Sequence, residues 1–150
     1  MIVKPTLTGR RVTLRPFRAE DLEPMAVVLA DPEVLRLTGS VHSTEAATGR
    51  EPVVDERLRA WYESRNDRAD RLDLAVVDNA SGQCVGEVVL NEWERANESC
   101  NFRISIGPAG RDRGLGTEAT LLVLGHAFTE IGLHRVGLEV YAWKPQLPPA

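Results

Sequence analysis

Two periods of hydrophobic repetition divide the chain. Arg11-Val12-Thr13-Leu14-Arg15 alternates polar and apolar positions until Pro16, which predicts a short strand. Ala19-Glu20-Asp21 then supplies acids suited to the first turn of a helix, where the dipole favours negative charge. Leu22, Met25, Ala26 and Leu29 follow at helical spacing, and Asp31-Pro32 ends the run. Segment 38–52, rich in Gly, Ser and Thr, reads as a loop. A second helix is predicted from Pro52, a good first helical residue, to about Arg65, with Val54, Leu58, Trp61 and Tyr62 on one face. The Trp61-Tyr62 pair suits either the core or the wall of a substrate pocket.

Beyond residue 70 the period shortens to two. Leu72 to Val77 reads as a strand, Asp78-Asn79-Ala80-Ser81-Gly82 as a turn, and Cys84 to Leu90 as the next strand. The polar stretch Asn91 to Glu98 turns the chain into Ser99 to Ile106, where Phe102, Ile104 and Ile106 alternate with Asn101, Arg103 and Ser105. Three antiparallel strands in a meander result. A glycine-bearing loop, Gly107 to Gly116, leads into a predicted helix, Thr117 to Phe128, whose apolar face includes Leu121, Leu124, Ala127 and Phe128.

Composition narrows the classes. The 150 residues suit one domain, and 43% hydrophobic with 27% charged residues of mixed sign argues against disorder. With 18 Lys+Arg against 22 Asp+Glu, the chain lacks the basic excess of a general nucleic-acid binder. Cys84 and Cys100 are too few for a disulfide framework and form no zinc-like spacing, so they are expected as reduced core thiols. No run approaches the roughly 18 apolar residues of a membrane span, and Met1 to Pro5 is no signal peptide. A cytoplasmic setting is the default expectation.

The chemistry concentrates at the loop. A helix N-terminus leaves backbone N–H groups unpaired and carries about half a positive charge. Glycines let backbone approach an anion closely, and Arg111 and Arg113 bring positive charge beside it. A pyrophosphate suits such a place, although a capped helix with turn glycines would read similarly. The loop has no Gly-Lys-Ser/Thr and no full Gly-x-Gly-x-x-Gly, and an antiparallel meander is the wrong setting for a dinucleotide fold.

Arg111-x-x-Gly114-x-Gly116, directly after Ile104-Ser105-Ile106, resembles the acetyl-coenzyme A loop of the GCN5-related N-acetyltransferase (GNAT) superfamily. Leu14 to Leu22, Asp31-Pro32-Glu33-Val34 and Gly132 to Val140 are similar to the branch of ribosomal-protein N-terminal acetyltransferases. The resemblance implies an α+β fold: one domain over 1–150, with a central, mostly antiparallel sheet flanked by helices. It implies acetyl transfer from acetyl-CoA to a primary amine in a ternary complex, with no metal. Ile104, Ser105 and Ile106 would pair with the pantetheine arm and offer N–H groups to the developing oxyanion. The N–H groups of Arg111, Asp112, Arg113, Gly114, Leu115, Gly116 and Thr117 would hold the pyrophosphate. Glu87, Glu92 and Glu98 are candidate bases, each also readable as a solvated surface charge. Ser99, Asn101 and Arg103 could touch the acceptor. His126 and His134 are weaker base candidates, and His134 matches a branch habit of hydrogen bonding at a helix-to-strand corner.

Departures from the family pattern carry their own expectations. After Val136 to Val140, relatives continue with an Asn-bearing turn, a tyrosine-bearing helix and two closing strands. Here Lys144 stands where relatives carry Asn, and 144–150 is proline-rich. Tyr141 belongs to the strand and does not replace the missing tyrosine acid. Asp112 puts an acid where relatives often have Gly. These departures leave a competing expectation, a domain that binds coenzyme A or a partner without turnover. They also predict a sheet edge at 136–140 that a second chain covers, as a homodimer or by strand swapping.

Overall fold

The computed structural model describes residues 4–31, 54–111 and 113–138. Pro32 to Val34, the 38–52 segment, Pro52, Asp112 and 139–150, all named above, lie outside the described residues.

Among the described residues, six strands form one sheet in sequence order: β1 (Leu7–Thr8), β2 (Val12–Arg15), β3 (Leu72–Asp78), β4 (Cys84–Glu94), β5 (Ser99–Ile106) and β6 (Arg135–Leu138). Every neighbouring pair is antiparallel except β5 and β6. Helices α1 (Leu22–Ala30) and α2 (Glu56–Arg65) are joined by α3 (Leu115–His126), which separates β5 from β6 as a parallel crossover requires. The α+β class and the meander therefore stand as expected.

Three local expectations need correction. The second helix starts at Glu56, not at Pro52, because the Asp55 carboxylate accepts the Leu58 N–H at 3.0 Å and fixes the N-terminus there. Val54 thus lies outside the helix, and of the expected apolar face only Tyr62 is fully buried. Strand β4 runs four residues past Leu90, with a register shift between Asn91 and Glu94. Glu92 and Glu98 take positive φ, at 51° and 48°, as the chain turns into β5.

The third correction concerns α3. Its buried row is Leu115, Ala119, Val123 and the following Ala127, while Leu121 and Phe128 are 68% and 46% exposed. Ala119 and Ala127 let the helix lie close on the sheet, with Leu115 and Val123 between them in the core and Leu122 and Leu124 half-buried at its sides, while Leu121 and Phe128 are turned away. This face packs against Val12, Leu14, Leu74, Val76, Val88 and Phe102.

The opposite face is covered by α1 and α2, through Met25, Val28, Phe17 and Tyr62 on Ala75, Val77 and Cys84. Arg15 and Asp21 form a buried bidentate pair (2.7 and 2.9 Å), and Asp21 also accepts the Arg18 N–H. That pair seats the short 3-10 turn before α1 on the sheet. Both cysteines are buried, and burial pushes their thiols up, to about 12 for Cys84 and about 11 for Cys100.

Candidate active site

The loop after β5 delivers the chain to α3 through a 3-10 turn, Pro108–Gly110. Gly114 caps α3 at φ 75°, and no side chain caps the helix. Among the described residues no side chain takes the first N–H groups, those of Leu115, Gly116 and Thr117, which the start of a helix leaves without an intrahelical partner. A Cβ at Gly114 would be strained and would meet Arg11 Nη1 at 2.7 Å, whereas one at Gly116 would meet Ile106 and Ile104 only at 3.6 and 3.8 Å. Glu118, in the helix's first turn, accepts the N–H groups of Arg10, Arg11 and Val12 instead of capping its own helix. This ties the β1–β2 turn to the helix entrance.

The two arginines are placed differently from the simplest expectation. Arg113 Nη2 bonds Asp78 at 2.8 Å and holds that carboxyl below its usual range. Arg111 is ion-paired with Asp31 at the end of α1. Their charge is partly compensated, so the anion-attracting character of this entrance rests mainly on backbone N–H groups and the helix dipole.

Strand β5 pairs with β6 only from Ser99 to Phe102, opposite Arg135 to Leu138. Among the described residues, Arg103, Ile104, Ser105 and Ile106 have no strand on that side.

On the α1/α2 side, register places Glu87 opposite Ser105 and Val89 opposite Arg103. Glu87 is 5% exposed. The Tyr62 hydroxyl donates to its Oε2 at 3.3 Å, and Arg103 Nη2 stands 4.0 Å from its Oε1. Burial pushes the Glu87 carboxyl above its ordinary 4.5, and Arg103 and Tyr62 pull the other way. Burial likewise raises the Tyr62 phenol, which stays protonated and donating. A cavity of about 530 Å³ opens over this group, walled by Leu29, Leu58 and Trp61 with Glu87 and Arg103 at its base.

The other candidates fall elsewhere. Glu92 and Glu98 are exposed, and Glu98 pairs with His134 at 2.8 Å at the corner before β6. Ser99 is buried, and the Asn101 amide donates to Asn91 Oδ1 at 3.2 Å. Ser105 is buried beside Glu87, while Arg103 reaches the cavity. Burial lowers His126, which lines none of this. Sequence reasoning missed the Tyr62–Glu87 contact; the only available signal was that Tyr62 sat on the inward helix face.

Comparison with known proteins decides the family. The acetyltransferase (GNAT) domain model matches residues 11–144. The chain belongs to the GNAT acetyltransferase family. An uncharacterized N-acetyltransferase, p20, from Bacillus licheniformis is 22% identical over 135 residues, covering 90% of this chain and 72% of that protein. A GCN5-related N-acetyltransferase from Brucella melitensis superposes with a TM-score of 0.65 at 23% identity. That match covers 89% of this chain but 59% of the other, so this GNAT domain spans little more than half of that relative's length. Spermidine N-acetyltransferase from Vibrio cholerae, solved with CoA and spermine, gives a TM-score of 0.70 at 22% identity, over 88% of this chain and 72% of that one. These likenesses extend to the sheet with its flanking helices. Among the described residues of this GNAT domain no group of three His, Cys, Asp or Glu could hold a metal ion, and no helix is long and apolar enough to cross a membrane.

Proposed function

We propose that this domain transfers an acetyl group from acetyl-CoA to a primary amine by direct attack within a ternary complex. The observation that carries the reading is Glu87: a buried carboxylate, raised by its surroundings, lining a cavity on the strand next to β5. The N–H groups of Arg111 through Thr117 would hold the pyrophosphate of the coenzyme, a reading supported by Gly114 at positive φ before the helix start. Ile104, Ser105 and Ile106 would line its extended pantetheine arm, with those N–H groups that the β4 ladder does not use meeting the acetyl oxygen as it becomes anionic.

Glu87 is then the base. The amine nitrogen bonds to the acetyl carbon and its proton passes to Glu87, directly or through water. The C–S bond breaks with its electron pair leaving on sulfur. Tyr62 holds the carboxylate in place. Glu92 and Glu98, both exposed, are left as surface charges. The Leu14–Leu22 and Gly132–Val140 motifs support a place near the ribosomal-protein N-terminal acetyltransferases.

Calorimetry with acetyl-CoA tests the loop. Gly114→Glu adds a strained Cβ and a negative charge at the helix entrance, and should weaken binding at least tenfold, roughly 1.4 kcal/mol. Unchanged affinity would remove the coenzyme from this loop. Thiol release over an amine panel separates transfer from coenzyme binding without turnover.

A further inference from the structure

Arg103 is a cation with donors to spare at the base of the cavity. Its Nε is buried and has no hydrogen-bond partner among the described residues. Its Nη2 stands 4.0 Å from Glu87 Oε1, too far for a hydrogen bond. The other charges on the cavity wall do not complete it: Asp55 is spent capping α2, and Arg57 carries the same sign. A guanidinium presents five N–H donors in a planar fork, and a carboxylate is the group that fills it bidentately.

Resting on the transfer reading above, we propose that the acceptor is a free α-amino acid with an apolar side chain, and that Arg103 selects it by binding its carboxylate. An α-amino acid carries its ammonium and carboxylate on one carbon. Bridging Glu87 and Arg103 from the cavity side, it adds two charge-assisted pairs to their loose 4.0 Å contact. Its amine meets the base, its carboxylate meets the fork, and its side chain lies against Leu29, Leu58 and Trp61. A polyamine would instead set a further cation near Arg103. A peptide N-terminus would offer an amide where the guanidinium wants a carboxylate.

The test uses L-leucine, L-leucinamide, a leucine-initiated peptide and spermidine as probes. Binding is followed by NMR on the CoA-saturated protein, and turnover by thiol release from acetyl-CoA. Wild type should favour leucine over leucinamide at least tenfold in both readouts. Arg103→Gln removes a charge that lowers the Glu87 carboxyl, so it should move the acidic limb of the kcat/KM profile to higher pH for both substrates. Compared on the pH plateau, it should raise the leucine KM at least tenfold relative to that of leucinamide, while Arg103→Lys should recover part of the preference. Leucinamide, peptide or spermidine performing as well as leucine in wild type, or a preference surviving in Arg103→Gln, overturns the proposal while leaving amine acetylation intact. Arg103-dependent leucine binding with no turnover of any amine overturns the transfer reading and keeps the carboxylate site. No acetyl-CoA binding and no leucine binding overturn both.

Discussion

The two faces of the sheet are built to different rules. Under α3 the buried residues are apolar, from Val12 and Leu14 to Val123 and Ala127, apart from Asp78, which Arg113 pairs at the helix entrance. Under α1 and α2 the same strands bury Asp73 and Glu87, with Tyr62 donating to Glu87 and Arg71 bonding Asp73 at 2.6 Å. Burying carboxylates costs stability unless they are fully paired, and Glu87 is paired only in part. The apolar face holds the fold and presents the α3 entrance. The charged face gives up some stability to keep a carboxylate that burial holds above its ordinary range.

The largest effect that would break this division lies at Glu87. Replacing it by Gln keeps the shape and removes the base, and should lower kcat by about 10²–10⁴-fold. The same variant should melt no lower than wild type at pH 7. A carboxyl raised in the folded state sheds its proton more readily when unfolded, so its cost to stability appears as pH climbs above 4.5 and is absent below it. Gln has no such cost. Lower thermal stability in Glu87→Gln would mean that the group is structural.

On the other face a paired substitution sharpens the contrast. Val123→Ala, 1% exposed against the sheet, should lose about 2 kcal/mol in denaturant unfolding. Leu121→Ala, 68% exposed on the same helix, should change stability by under about 0.5 kcal/mol. Equal losses would contradict the helix orientation.

The smallest effect concerns Tyr62. Its hydrogen bond pulls the Glu87 carboxyl down against the upward push of burial. Tyr62→Phe should therefore move the acidic limb of the kcat/KM profile to higher pH and leave the plateau little changed. A limb that stays in place, or moves down, would detach the phenol from the base.

Strand alternation in 72–77 and 99–106 was legible because period two assigns faces directly, and the strand–loop–helix order around Gly114 and Gly116 was legible with it. The face of α3 was not, since apolar residues sit all round the helix and no single stripe stands out. Among the three carboxylates, Glu87 stood apart only once strand register fixed its partners. Local pattern could not reveal that β4 runs on to Glu94 through a bulge, which sets that register. Arg111 and Arg113 looked like free positive charge because their acid partners, Asp31 and Asp78, lie 80 and 35 residues away in the chain.

Titration of Glu87 itself, by carboxyl carbon NMR on labelled protein with Glu87→Gln to assign the signal, is the most direct test of a buried base poised by this face. A midpoint clearly above 4.5 that tracks the acidic limb of kcat/KM is the predicted result. A midpoint at or below 4.5, or a limb unrelated to it, would contradict the account.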